Sequence, residues 1–66
     1  MKRYKLKIWY PSLSRYLLEG MIVTQFDLNP HFYVWEGEHA REVLKWEEVE
    51  TNPNFWEKIE DELGEV

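Results

Sequence analysis

Val49-Glu50-Thr51-Asn52-Pro53-Asn54-Phe55-Trp56-Glu57 is the stretch on which the reading of the fold turns, because it places a helix-start signal and two large rings within nine residues. An Asn side chain can accept a hydrogen bond from a backbone N–H two or three residues ahead. A proline at the first helical position gives up a donor that would have no intrahelical partner anyway. Asn52 and Pro53 therefore predict a helix from about Pro53 to Leu63. Trp56, Ile59 and Leu63 fall at i, i+3 and i+7 with Phe55 beside Ile59, an apolar stripe on an otherwise acidic helix, and Gly64 is placed to end it. Glu60, Asp61 and Glu62 lie where the helix dipole disfavours negative charge, so such a helix needs tertiary support.

Upstream the period changes from helical to alternating. Tyr4, Leu6, Ile8 and Tyr10 share one side of a first strand, and Lys5, Lys7 and Trp9 the other. Pro11 stops it, and residues 12–19 read as a loop with Leu13, Leu17 and Leu18 tucked inward before a turn at Gly20. Met21 to Phe26 is a second strand, Asp27-Leu28-Asn29-Pro30 a turn, and His31 to Glu36 a third strand, with His31, Tyr33 and Trp35 opposite Phe32 and Val34. Glu36-Gly37-Glu38 turns again, Arg41 to Leu44 is a short fourth strand, and Lys45 to Glu50 is a single helical turn leading to Asn52. The expected class is mainly β with a C-terminal helix (α+β), in one small domain over residues 1–66.

A chain of 66 residues buries only about 60% of its unfolded surface. With no cysteine, neither disulfides nor a thiolate zinc site can supplement that core. Apolar packing has to supply the stability, and three Phe, four Tyr and four Trp suit the need. The longest apolar run, Phe32-Tyr33-Val34-Trp35, is far short of the roughly 20 residues that span a bilayer, and no signal-peptide pattern follows the basic start. A soluble, cytoplasmic chain, away from membranes, is expected.

The net charge is −5, yet Lys2, Arg3, Lys5, Lys7 and Arg15 all precede the first acid. That basic end reads either as a phosphate-binding stripe or as the partner of the acidic residues Glu57, Glu60, Asp61, Glu62 and Glu65. Whole-chain acidity argues against a dedicated nucleic-acid binder.

Catalysis needs an activated nucleophile, paired carboxylates in a pocket or a metal with an open position. His39 and Glu42 are one helical turn apart, but His31 is the only other imidazole. Ser12 and Ser14 lack a nucleophile-elbow context, and Gly20, Gly37 and Gly64 form no phosphate loop. Neighbouring acids such as Glu47/Glu48 diverge on a helix and read as a solvated face or as an imitation of nucleic-acid phosphate. The chain reads as a non-enzyme, with no catalytic residue, cofactor or metal assigned.

The rings point elsewhere. If Tyr4, Ile8, Val23, Phe32, Val34, Phe55, Trp56 and Ile59 fill the core, then Trp9, Tyr16, Tyr33, Trp35 and Trp46 are left over. Exposed aromatics with arginine commonly mark interfaces. The expected partner-binding residues are Trp9, Arg15, Tyr16, Tyr33 and Trp35, with Asn52, Pro53, Phe55 and Trp56 structural.

Three segments carry a resemblance: Leu17-Leu18-Glu19-Gly20-Met21-Ile22-Val23, the aromatic strand His31 to Glu36, and Trp46-Glu47-Glu48-Val49-Glu50-Thr51-Asn52-Pro53-Asn54-Phe55-Trp56. Together they resemble a group of small proteins carried by bacteriophages and prophages, with departures at Met21, where an Asp is usual, and Trp46, where a Lys is usual. The resemblance implies a small SH3-like barrel of about four strands closed by a helical turn and one helix, with no shared catalytic residues. It points to an accessory protein that docks on a host protein, such as a defence or transcription factor, and inhibits it. Rival roles are a nucleic-acid mimic, a small-ligand sponge, and a self-assembling virion component or homo-oligomer.

Overall fold

In the computed structural model, residues 1–13 and 15–59 are described. They form β1 (Arg3–Leu6), β2 (Ile22–Gln25), β3 (Phe32–Glu36), β4 (Arg41–Lys45), α1 (Trp46–Glu50) and β5 (Trp56–Ile59). All neighbouring strands are antiparallel, and the sheet order is β4-β3-β2-β1-β5. β4 pairs only with β3 and β5 only with β1, so the sheet is open among the described residues.

Register sorts the side chains onto two faces. Tyr4 stands opposite Val23, Gln25 opposite Tyr33, Tyr33 opposite Leu44 and Leu6 opposite Trp56. Each strand thereby supplies one buried residue, Leu6, Val23, Tyr33, Leu44 and Trp56, to a single face. Leu13 and Leu17 from the β1–β2 loop and Val49 from α1 complete the core. This is how so short a chain encloses an interior: one sheet face is covered by a loop and one helical turn instead of by a second layer.

The C-terminal helix expected from Pro53 onward is replaced by β5 over Trp56–Ile59, while its remainder, residues 60–63, and Gly64 lie outside the described residues. The Asn52 side chain faces backwards instead of forwards. Its Nδ2 donates to the Glu48 carbonyl at 2.7 Å, and the Thr51 hydroxyl donates to the Glu47 carbonyl, so both residues close α1. One tight turn follows, in which the N–H groups of Phe55 and Trp56 both reach the Asn52 carbonyl at 3.0 Å. The chain then straightens because β1 presents an unpaired edge from Arg3 to Leu6, and pairing with it buries Trp56 to 2% exposure. A lone amphipathic helix with acids at its C-terminal end has nothing comparable to gain.

β1 also ends early, at Leu6 instead of Tyr10, while the bounds of β2, β3 and β4, the helical turn ahead of Asn52 and the turn at Gly20 sit close to expectation. Gly20 takes φ 95° at the third position of the Leu18–Met21 turn, closed by the Met21 N–H on the Leu18 carbonyl at 3.0 Å. That positive φ suits glycine. Five assignments to the core or the surface are corrected. Ile8 is 51% and Leu18 59% exposed, because β1 ends at Leu6 and the loop anchors through Leu13 and Leu17. Phe32 and Val34 lie half-buried on the outer face, while Tyr33 is fully buried.

Candidate functional site

The loop of residues 7–21 carries four of the nine exposed large apolar side chains among the described residues: Ile8, Trp9, Tyr16 and Leu18. It is held at both ends. Lys7 donates its N–H to the Phe55 carbonyl at 2.7 Å, Gly20 its N–H to the Leu6 carbonyl at 2.8 Å, and Leu13 and Leu17 are buried beneath. An anchored loop can present rings at lower entropic cost than a mobile one. The Trp9 N–H donates to Glu19 Oε2 at 3.3 Å, and the Arg15 guanidinium sits 5.9 Å from the Tyr16 ring centroid, within cation–π range.

Of the residues expected to bind a partner, Trp9, Arg15 and Tyr16 thus share this exposed loop. Tyr33 does not belong to any surface. It has no exposed area, packs edge-on against Tyr4 at 5.4 Å between centroids, and donates its hydroxyl to Glu50 Oε2 at 2.6 Å. Trp35 is half-buried against the core on the same sheet face, beside Gly37. Of the two departures noted above, Met21 packs against the core, with its sulfur accepting the Leu18 N–H at 3.3 Å, while Trp46 opens α1 at 36% exposure.

Beside the loop runs a groove the sequence did not advertise. Tyr10, Ser12, Glu47, Glu48, Asn52 and Phe55 line a concavity of about 460 Å³ between the loop, α1 and the turn into β5. The rings of Tyr10 and Phe55 pack 4.6 Å apart at 36°. The Trp56 indole N–H donates to the Tyr10 hydroxyl at 3.1 Å, and that hydroxyl donates to Glu48 Oε2 at 2.8 Å, which fixes both groups on the groove wall. Burial pushes the Tyr10 phenol up to about 12; the bond from Trp56 works against this and that to Glu48 with it. The only signal in the sequence was Tyr10 on the same strand side as Leu6, which says nothing of a wall formed with residues some forty positions later.

The outer sheet face holds two adjoining hollows of about 540 and 220 Å³ that share Phe26, Val34 and Arg41. Lys5 stands opposite Glu57 in register on this face, and Lys2 Nζ is 3.9 Å from Glu50 Oε2, so part of the basic start meets acids within the fold. Glu60, Asp61, Glu62 and Glu65 lie outside the described residues. His31 and His39 are both exposed, and among the described residues no three His, Asp or Glu side chains converge as a metal site. No described helix is long and apolar enough to cross a membrane. Compared with known proteins, the chain matches no family model, and neither a curated protein nor a solved structure is significantly similar to it.

Proposed function

We propose that this chain is a non-enzymatic protein-binding module that works in the cytoplasm of a host cell. It docks on a host protein through the loop of residues 7–21 and modulates that protein. The observation that carries the reading is the exposure of Ile8, Trp9, Tyr16 and Leu18 on one loop anchored by two buried leucines. Apolar and aromatic groups held rigidly in water are what an interface uses, because little ordering entropy is lost when they are covered.

The resemblance to phage- and prophage-borne accessory proteins gives the reading its biological direction, the inhibition of a defence or transcription factor. An SH3-like barrel is the finer architecture we infer. Its support is that α1 and a tight turn carry the chain from one edge of the sheet, β4, to the opposite edge, β5, which favours a strongly curled sheet.

The test is capture of the host partner from lysate by wild type and by a Trp9→Ala/Tyr16→Ala variant shown to be folded. The variant should lose the captured protein. A folded variant that retains it removes the loop from the function.

A further inference from the structure

We infer that the groove between the β1–β2 loop and α1 is a seat for an arginine side chain of the partner protein. This inference rests on the docking reading above and names the chemistry of the partner at one place on that surface.

The groove pairs an aromatic wall with acid. Phe55 and Tyr10 form the ring pair, and Glu47 and Glu48 supply two carboxylates from consecutive positions of α1. α1 has no basic residue in its last turn, and among the described residues no lysine or arginine pairs with either carboxylate. Glu48 is occupied on one side by the Tyr10 hydroxyl, and Glu47 is exposed. Two other carboxylates, by contrast, have partners: Glu50 meets Tyr33 and Lys2, and Glu36 meets Arg41 at 2.9 Å. Charge is therefore left over where the surface is concave and ring-lined.

A guanidinium suits such a place better than an ammonium. Its plane can stack on a ring while its fork of N–H groups reaches carboxylate oxygens, and it sheds water more readily. The volume of about 460 Å³ is in the range of small-ligand pockets. The groove also adjoins the proposed docking loop, since Tyr10 and Ser12 belong to both. An arginine entering here would sit against the same loop that carries the exposed Ile8, Trp9, Tyr16 and Leu18.

The experiment is an NMR titration of the full chain with the peptide acetyl-(Gly-Arg)₃-amide and with its citrulline counterpart, which keeps the shape and lacks the charge. Amide shifts should centre on Tyr10, Ser12, Glu47, Asn52 and Phe55 and on the Trp56 indole N–H. Charge-assisted hydrogen bonds imply a dissociation constant about tenfold higher for the citrulline peptide. Glu47→Gln should weaken binding several-fold, while Glu57→Gln, an exposed acid on β5, should leave it unchanged. Equal binding of both peptides, shifts spread over all acids, or equal effects of the two substitutions would each overturn the assignment. Loss of the arginine response with host-protein capture through Trp9 and Tyr16 intact would remove this site alone and leave the docking function standing.

Discussion

Tyr33 donates its hydroxyl to Glu50 at 2.6 Å, so a fully buried ring in the centre of the sheet is tied to the last turn of α1. With Tyr10 bonded to Glu48, it gives α1 two polar tethers two residues apart on the same short element. A five-residue helix cannot stand on its own hydrogen bonds. Val49 packed in the core and these two phenols hold it in place.

Tyr33→Phe should keep the ring packing and cost about 1.5–3 kcal/mol, the usual worth of a hydrogen bond to a charged group. Glu50 would retain Lys2 at 3.9 Å as a partial partner, which favours the low end. The check is chemical denaturation. A change below measurement error would mean that the tether contributes nothing to stability.

Trp56→Ala removes the largest buried side chain and should cost about 3–5 kcal/mol, enough to leave a domain of this size largely unfolded. Trp56→Phe keeps much of the volume and loses the indole donor to Tyr10, so a folded protein weakened by about 1–2 kcal/mol is expected. Circular dichroism melts of the two variants separate packing from hydrogen bonding.

Stability should fall on the alkaline side. Tyr10 is raised from 10.0 to about 12, and Tyr33 is raised further by burial, then by its bond to Glu50 and that carboxylate's charge. Tyr4 is raised by burial and, second, by Glu50. A phenol whose folded pKa exceeds its unfolded one holds its proton more tightly when folded. Its stabilisation is complete below the unfolded value and is lost as pH climbs through the folded value. Unfolding should therefore set in between pH 10 and about 12, with tyrosinate absorbance rising together with loss of structure. Tyrosinate appearing well before unfolding would contradict it.

Gly20→Ala and Gly37→Ala should fail for different reasons. At Gly20 a Cβ has open space but the backbone sits at φ 95°, so a loss of about 1 kcal/mol with unchanged tryptophan fluorescence is expected. At Gly37 a Cβ would strike the Trp35 ring, with Cζ2 at 2.8 Å, and the ring must move. Overpacking of this kind costs about 1–3 kcal/mol, and the emission of Trp35 should shift with it.

The alternation of residues 31–36 illustrates what a sequence can and cannot say. Period two correctly put Tyr33 and Trp35 opposite Phe32 and Val34, but it carries no sign for inside and outside. Reading the phenol and indole as the outer set turned β3 over. The structure turns it back because Tyr33 lies opposite Leu44 and packs against Tyr4, and its hydroxyl finds Glu50 without leaving the core. At Asn52 the difficulty was direction: a cap residue can serve the helix before it as well as the one after it. The groove was harder still to read, since Tyr10 and Ser12 meet Glu47, Glu48, Asn52 and Phe55 only across the folded chain.

The sequence by itself determined β2, β3 and β4, the start of β1, the helical turn after β4, the glycine turn at Gly20 and the lack of cysteine chemistry, all of which depend on neighbours within a few residues. The tertiary structure alone decided that Trp56–Ile59 is a strand, that Tyr33 is core and that an acidic, ring-lined groove exists. The reason is that each of these depends on what lies across the sheet: the open edge of β1, the register of β3 on β4, and the folding of the β1–β2 loop against α1. Such pairings join residues far apart along the chain, and local pattern does not encode them.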